Sequence, residues 1–214
     1  WFADLVPFSW LDVAIVLGGV LLILLLVRRK WTILLNVVAG LYLLFFWTWG
    51  LNYHRQPLNS KLQLDAARME PQAMSEFARH AAMELNRLYR EKQGHAYQET
   101  QTRAEASRRV RKVVSIIDGS DWEGADRIKI SWVGSPWLRA AGVDGVFNPL
   151  AHEPIVSNTL LDIERPFVIA HELAHVRGYP DEGDANVIAT FATLMSADPA
   201  FQYSGWLNLW LYLR

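Results

Sequence analysis

Residues 165–186 read RPFVIAHELAHVRGYPDEGDAN and predict two helices joined by a turn. Pro166 suits the first turn of a helix, and Gly178 suits the position just after its end. Between them, His171 and His175 are four residues apart, so a helix presents both side chains on one face. This spacing predicts that the two imidazoles bind the same metal ion.

The motif HELAH also places a carboxylate, Glu172, beside the two histidines. A carboxylate in that position acts as a general base when a metal activates water for peptide hydrolysis. The chain has no cysteine, so any metal must be held by His, Asp or Glu, and we expect Zn²⁺. The competing interpretation is a pair of core histidines satisfied by hydrogen bonds.

Two acidic residues compete for the third protein ligand that a catalytic zinc site requires. Asp181 completes the spacing HExxHxxGxxD, but it also suits the N-cap of the second helix. Glu182 falls in the first turn of that helix. Asn186 lies four residues later on the same face, from where it could hydrogen-bond a ligand imidazole. We favour Glu182 and keep Asp181 as the alternative metal ligand.

Two apolar stretches near the N-terminus predict a transmembrane helical hairpin over residues 1–53. Residues 13–27 carry no charge, and residues 31–53 form a run of 23 uncharged residues. A spanning helix needs about 20 apolar residues. A signal peptide is the alternative for the first stretch, but its basic residues would precede the apolar core, whereas the basic residues 28–30 follow it.

The short basic loop 28–30 predicts the orientation of this hairpin. Basic residues in short loops stay on the cytoplasmic side, so residues 54–214 would form an extracytoplasmic domain. The sequence thus predicts an integral protein of a bacterial-type inner membrane, in contact with the lipid bilayer. The 214 residues include 21 basic and 22 acidic side chains, and this balance leaves no excess positive charge for a nucleic-acid partner.

The remaining sequence predicts an α+β domain with a small β-sheet between helices. Before the HELAH helix we expect two helices, one strand and a β-hairpin, over residues 71–92, 100–117, 127–133, and 144–148 with 153–157. Residues 134–147 otherwise predict a loop, because Gly and Pro punctuate them. Residues 206–214 stop inside an apolar pattern too short to span a bilayer, so we expect a packing or interfacial helix that continues beyond Arg214.

Three further residues are weaker site candidates. His152 and Glu153 precede an extended segment that would run beside the metal helix, so either could contact substrate. For His152 we favour an ordinary loop histidine and keep the substrate contact as the alternative. Tyr203 could donate its hydroxyl to a developing oxyanion, or it could be buried with a single hydrogen bond.

The stretch from HELAH to Glu182 and Asn186 resembles the gluzincin metallopeptidases, whose third ligand is the Glu of the second helix. The chain resembles more closely the membrane-anchored family called domain of unknown function 3810, described as zinc-metallopeptidase-like. The matching pieces are residues 49–53, 142–149, Glu153, Asn158, 166–167, 171–175, Gly178, Glu182, 185–186 and 203–205. This resemblance implies a zincin-like metallopeptidase domain that binds Zn²⁺ through His171, His175 and Glu182.

The sequence therefore predicts a membrane-anchored, zinc-dependent metallopeptidase acting on a peptide or protein substrate. In this hypothesis Glu172 accepts a proton from the attacking water and returns it to the leaving amine. The alternative is a non-catalytic subunit of a membrane protein complex. There the aromatic-rich hairpin packs against partner helices, and the metal site is vestigial or structural.

Overall fold

A computed structural model describes residues 2–62, 70–93, 97–121 and 126–213 of the chain. It confirms the α+β class, with two apolar N-terminal helices ahead of a small mixed sheet. Within the described ranges the helices are α1 (Trp10–Val27), α2 (Trp31–Thr48), α3 (Pro71–Glu91), α4 (Glu99–Asp118), α5 (Ser135–Ala140), α6 (Arg165–Val176), α7 (Glu182–Leu194) and α8 (Pro199–Leu213). The strands are β1 (Lys129–Ser131), β2 (Gly145–Asn148) and β3 (Glu153–Ser157).

The sheet has the strand order β1-β3-β2, with β1 parallel and β2 antiparallel to the central strand β3. All five residues of β3 are buried, because α6 packs across it and the other two strands flank it. Phe167, Ile169 and Leu173 of α6 belong to the same apolar core as Val156 of β3. The HELAH helix is therefore held between the sheet and the helices α4, α7 and α8.

The helices α1 and α2 contain 18 residues each and are long and apolar enough to cross a membrane by length and composition. At a rise of about 1.5 Å per residue, each measures about 27 Å. Leu25 is the only residue of the two helices that is buried, so their apolar side chains face outward almost throughout. A helix with apolar residues on every side needs lipid or protein around it.

Glu153, a predicted substrate contact, connects β3 to the start of α1. Its side chain is fully buried and accepts hydrogen bonds from the backbone nitrogens of Trp10 (3.2 Å) and Leu11 (2.9 Å). It also accepts from the Ser9 hydroxyl at 3.2 Å. A carboxylate at this place satisfies free N–H groups of the first helical turn and complements the helix dipole.

Asp12, also in the first turn of α1, makes a second connection. Its carboxylate accepts from the Ser131 hydroxyl and from the backbone nitrogen of Trp132 at 2.8 Å. The loop that follows β1 is consequently fixed against α1, and α1 begins directly on the soluble domain.

The segment after β1 differs from the predicted loop, because residues 135–140 form the short helix α5. Gly134 and Pro136 read as loop residues, yet proline in a first helical turn favours helix initiation. The predicted strand 127–133 is shorter in the structure, at Lys129–Ser131. The apolar C-terminal stretch belongs to α8, which packs on α3 and α7.

Candidate metal centre

The turn between α6 and α7 brings the predicted metal ligands together. Gly178 adopts φ +82°, a left-handed conformation that favours glycine at the end of a helix. A Cβ atom at this position would also lie 2.4 Å from Nη1 of Arg55. The chain therefore reverses at Gly178, and α7 starts with Glu182 facing the histidines of α6.

His171, His175 and Glu182 form a compact cluster of three potential ligand atoms. Nε2 of His171 lies 3.1 Å from Nε2 of His175 and 3.1 Å from Oε2 of Glu182. Nε2 of His175 lies 3.5 Å from Oε1 of Glu182. Tetrahedral Zn²⁺ with bonds of about 2.0–2.2 Å keeps its ligand atoms roughly 3.3–3.6 Å apart. The observed spacing is close to these values, so the residues fit a zinc ion.

The second nitrogen of each imidazole is held by a hydrogen bond. Nδ1 of His171 donates to Oδ1 of Asn186 at 2.9 Å, and Nδ1 of His175 donates to the carbonyl oxygen of Tyr179 at 2.7 Å. With Nδ1 protonated, each neutral ring directs the lone pair of Nε2 into the cluster. Two lone pairs and a carboxylate at this distance repel one another unless a proton or a metal cation lies among them.

The pKa values of Glu182 and His175 are both shifted toward the charged form of each group. Hydrogen bonds from His171 and then His175 lower the pKa of Glu182 well below its usual range. Burial works to lower the pKa of His175, but its hydrogen bond to Glu182 and the charge of Glu172 outweigh burial and raise it. Glu182 and His175 thus favour their charged forms beside each other.

Glu172 lies beside the cluster in a nearly dry environment. Its side chain is buried, and Oε2 has no hydrogen-bond partner among the described residues. Burial raises the pKa of this carboxyl to about 7, although the charges of His175 and His171 act to lower it. β2 passes so close that a Cβ atom at Gly145 would lie 2.4 Å from Oε1 of Glu172. Glycine at this position therefore makes room for the carboxylate.

A cavity of about 680 Å³ opens on the cluster and on Glu172. Its walls come from the end of α2, the segment 142–147, α6, α7 and α8. The side chain of Glu182 is 76% exposed, so the cluster is accessible from the cavity side. Access for a small molecule or an extended peptide is consistent with a reactive site rather than a closed structural one.

Asp181 occupies a different position from the cluster. Its backbone is extended (φ −77°, ψ 131°), and its side chain accepts a hydrogen bond from the backbone nitrogen of Asp184 at 3.0 Å. This is the geometry of an N-cap at the start of α7. The carboxylate next to it, Glu182, is the one that faces the two imidazoles.

Tyr203 and His152 both lie outside the lining of this cavity. Tyr203 faces α3, where its ring packs against Tyr89 and beneath Nζ of Lys92 at 4.7 Å, and it does not line the cavity. His152 packs edge-on against Phe147 and lines a separate space of about 360 Å³ behind His175. Burial lowers the pKa of His152, so this imidazole favours its neutral form.

Two aromatic residues that line the cavity were not predicted as site residues. The hydroxyl of Tyr212 accepts a hydrogen bond from Nδ2 of Asn186 at 2.8 Å. This bond extends the series of hydrogen bonds that begins at Nδ1 of His171. Trp49 packs edge-on against the ring of His175, with 5.8 Å between the ring centroids. In the sequence Trp49 has the pattern of an interfacial aromatic at a span end, and no local signal distinguishes Tyr212 from its neighbours.

Single substitutions of Glu182, Asp181 and Asn186 should distinguish the metal ligand from the helix cap and from the residue that hydrogen-bonds a ligand histidine. Glu182→Gln should weaken zinc binding most, because it removes the negative charge nearest to both imidazoles. Asn186→Ala should weaken it less, by about 10–100-fold, as expected when a partner of a ligand histidine is lost. Asp181→Asn should leave it almost unchanged, because Asn caps a helix about as well as Asp.

A competition titration of the three variants with a zinc chelator measures this order, and the wild-type chain is the reference. If Asp181→Asn proved the most damaging, the ligand would be Asp181 and the spacing HExxHxxGxxD would describe the site.

Comparison with known proteins places the chain in a family. A search of curated proteins finds no match, and a search of solved structures finds none either. A family model described as a protein of unknown function, DUF3810, matches residues 2–214. Because this match covers nearly the whole chain, the chain belongs to the DUF3810 family.

Proposed function

We propose that this protein is a membrane-anchored, zinc-dependent metallopeptidase. The observation that carries the proposal is the cluster of His171, His175 and Glu182, with both Nδ1 atoms engaged elsewhere and both Nε2 atoms directed at the carboxylate. These three residues would hold the Zn²⁺. When bound there, zinc supplies a Lewis acid that polarises a carbonyl and acidifies water, as it does in other sites with two histidines and one glutamate.

Glu172 supplies the acid–base chemistry in this proposal. A carboxyl whose pKa is about 7 can both accept and release a proton near neutral pH. A neighbouring cation would lower that pKa, because opposite charge favours the ionised form. The unpartnered oxygen Oε2 is the atom we assign to proton transfer, since it is the one that lacks a hydrogen bond.

The strand β2 would bind the substrate in an extended conformation. It is an edge strand, because it pairs only with β3 in the sheet order. Residues 142–147 line the cavity, so the free edge of β2 lies beside Glu172 and the cluster. An extended peptide adds to such an edge through backbone hydrogen bonds. The open cavity favours this function over the structural subunit of a membrane complex.

Hydrolysis by the purified full-length chain tests the proposal. In detergent, the protein should cleave members of a quenched-fluorescent peptide library, stop when 1,10-phenanthroline removes the metal, and recover when Zn²⁺ is returned. Cleavage that continues in the presence of the chelator would indicate an activity that does not depend on zinc. A zinc-loaded protein that cleaves no member of the library would favour the structural alternative.

We propose further that α1 and α2 both cross the membrane and that residues 54–214 are extracytoplasmic. The two helices are joined by a tight turn, in which the backbone nitrogen of Lys30 donates to the carbonyl of Leu25 at 2.8 Å. The basic residues 28–30 lie at this turn, and basic short loops stay cytoplasmic. The exposed faces of the hairpin are left for lipid or for helices of partner proteins.

Reporter fusions can test this orientation. A reporter inserted after residue 53 of the 214-residue chain should report the extracytoplasmic side, and replacing Arg28, Arg29 and Lys30 by Ala should give mixed orientations. Neutralising Arg108 and Arg109 in α4 is the matched control and should have no effect, because these residues lie far from the helix ends. A cytoplasmic signal from the unmodified chain would contradict the proposed orientation.

A further inference from the structure

Three large apolar side chains are exposed together on the soluble domain, just after β1. Trp132 is 70% exposed, Val133 46% and Trp137 71%. Tryptophan side chains this open to water are unfavourable, since burying one removes a large apolar surface. We call these three residues the apolar rim.

The apolar rim lies beside α1. The backbone nitrogen of Trp132 donates to the carboxylate of Asp12 at 2.8 Å. Gly134 comes so near to the next turn of α1 that a Cβ atom on it would lie 3.6 Å from Cδ1 of Ile15. Residues 132–134 are therefore level with the segment 12–15 of α1, and Trp137 follows them in the first turn of α5.

The length of α1 sets the height of this segment relative to a bilayer. Its 18 residues measure about 27 Å, whereas the hydrocarbon core is about 30 Å thick. A helix this short must use nearly its whole length to cross, so its first two turns lie at the outer edge of the membrane. The apolar rim is consequently at the level of the lipid headgroups, where tryptophan is enriched in membrane proteins.

We infer that the apolar rim is a second membrane-contact surface, by which the soluble domain rests on the bilayer that α1 and α2 cross. The occupant is lipid, because the rim lies beside α1, whose apolar side chains are exposed, and at the depth that suits indole rings. The inference rests on the proposed insertion of the hairpin. The membrane contact of the rim would also hold the cavity close to the bilayer, since Val143, in the segment after α5, lines that cavity.

Site-specific labelling can test this contact, because the chain has no native cysteine. Single variants Trp137→Cys, Leu150→Cys and Leu17→Cys would carry an environment-sensitive fluorophore. The full chain would be reconstituted in phosphatidylcholine vesicles that contain nitroxide-labelled phosphatidylcholine. Leu150 is the matched control: it is a 48% exposed apolar residue at the opposite end of the β2–β3 hairpin. Leu150 lies beyond the Glu153 end of β3, whereas the rim is near the Ser157 end, and the two ends are about 13 Å apart. Leu17, 64% exposed within α1, reports insertion of the hairpin.

The label at position 137 should be quenched by the lipid nitroxide at least about twofold more than the label at 150. The label at 17 should be quenched most. Equal quenching at 137 and 150, with strong quenching at 17, would overturn the membrane contact and leave the proposed anchor intact. A label at 137 shielded from both lipid and aqueous quenchers would also overturn it, since a protein would then cover the rim. An unquenched label at 17 would overturn the proposed insertion itself, and the inference with it.

Discussion

Glu172→Gln should abolish peptide hydrolysis while the protein keeps its zinc. Gln has nearly the same volume as Glu but cannot accept the proton, and loss of a general base typically reduces the rate by about 10²–10⁴-fold. The ligands His171, His175 and Glu182 are untouched by the change. The measurements are kcat/KM on a fluorogenic peptide and zinc per chain by mass spectrometry. Glu76→Gln, on an exposed face of α3, is the matched control and should behave as wild type.

The thermal stability of metal-free protein provides a folding control for the same variant. The pKa of Glu172 is about 7 in the folded chain, which is above its usual value of 4.5. A carboxyl with a raised folded-state pKa makes the fold less stable as the pH rises from 4.5 through 7, because the unfolded chain ionises more easily. Metal-free Glu172→Gln should therefore melt at a higher temperature than metal-free wild type at pH 8, and this difference should vanish near pH 4. Undiminished hydrolysis by a folded Glu172→Gln variant would rule out its role as the base.

Replacing both His171 and His175 by Ala should reduce the zinc content from about one ion per chain to background. Glu182 would remain as a single exposed carboxylate, and one carboxylate does not hold zinc against water and buffer. The matched control replaces His54 and His80 by Ala, because both lie outside the cluster, and it should retain zinc. Elemental analysis of both double variants, purified without a polyhistidine tag, makes the comparison. Full zinc occupancy in the cluster variant would place the metal elsewhere in the protein.

The close approach of His171, His175 and Glu182 follows from features that are local in sequence. A four-residue spacing on a helix, a glycine that reverses the chain and an acidic residue in the next first turn are all visible in 22 consecutive residues. Helical periodicity fixes the first feature and the left-handed conformation of Gly178 permits the second. Local patterns of this kind can be read without knowledge of the fold.

Tyr203 and Tyr212 show what local sequence patterns cannot predict, namely which side of α8 faces the cavity. They are nine residues apart on α8, and at 100° per residue nine steps amount to half a turn beyond two full turns. They therefore point in opposite directions, and only the packing of α8 against α3 and α7 determines which of the two faces the cavity. No periodicity in this stretch indicates that choice, because α8 carries apolar residues on all sides.

Glu153 shows a second limit, which is set by distance along the chain. Its partners Ser9, Trp10 and Leu11 lie more than 140 residues away, so neither sequence neighbourhood indicates the contact. An acidic residue before an extended segment suggests an exposed position, whereas this carboxylate is buried because the first turn of α1 supplies its donors.

In the proposed topology, the capping of α1 by Glu153 would couple membrane insertion to completion of the fold. The chain is made from its N-terminus, so Ser9, Trp10 and Leu11 leave the ribosome long before the strand that carries their acceptor. Until β3 arrives, the first turn of α1 lacks this partner, and without α1 the buried carboxylate of Glu153 would lose three of its donors. Only the donor Nδ2 of Asn148 would remain of those described, and a buried carboxylate that loses most of its donors is destabilising. A shortened chain that begins after the hairpin would therefore be a damaged domain rather than a soluble version of the native one, and biochemical work on this protein requires residues 1–53 to stay attached.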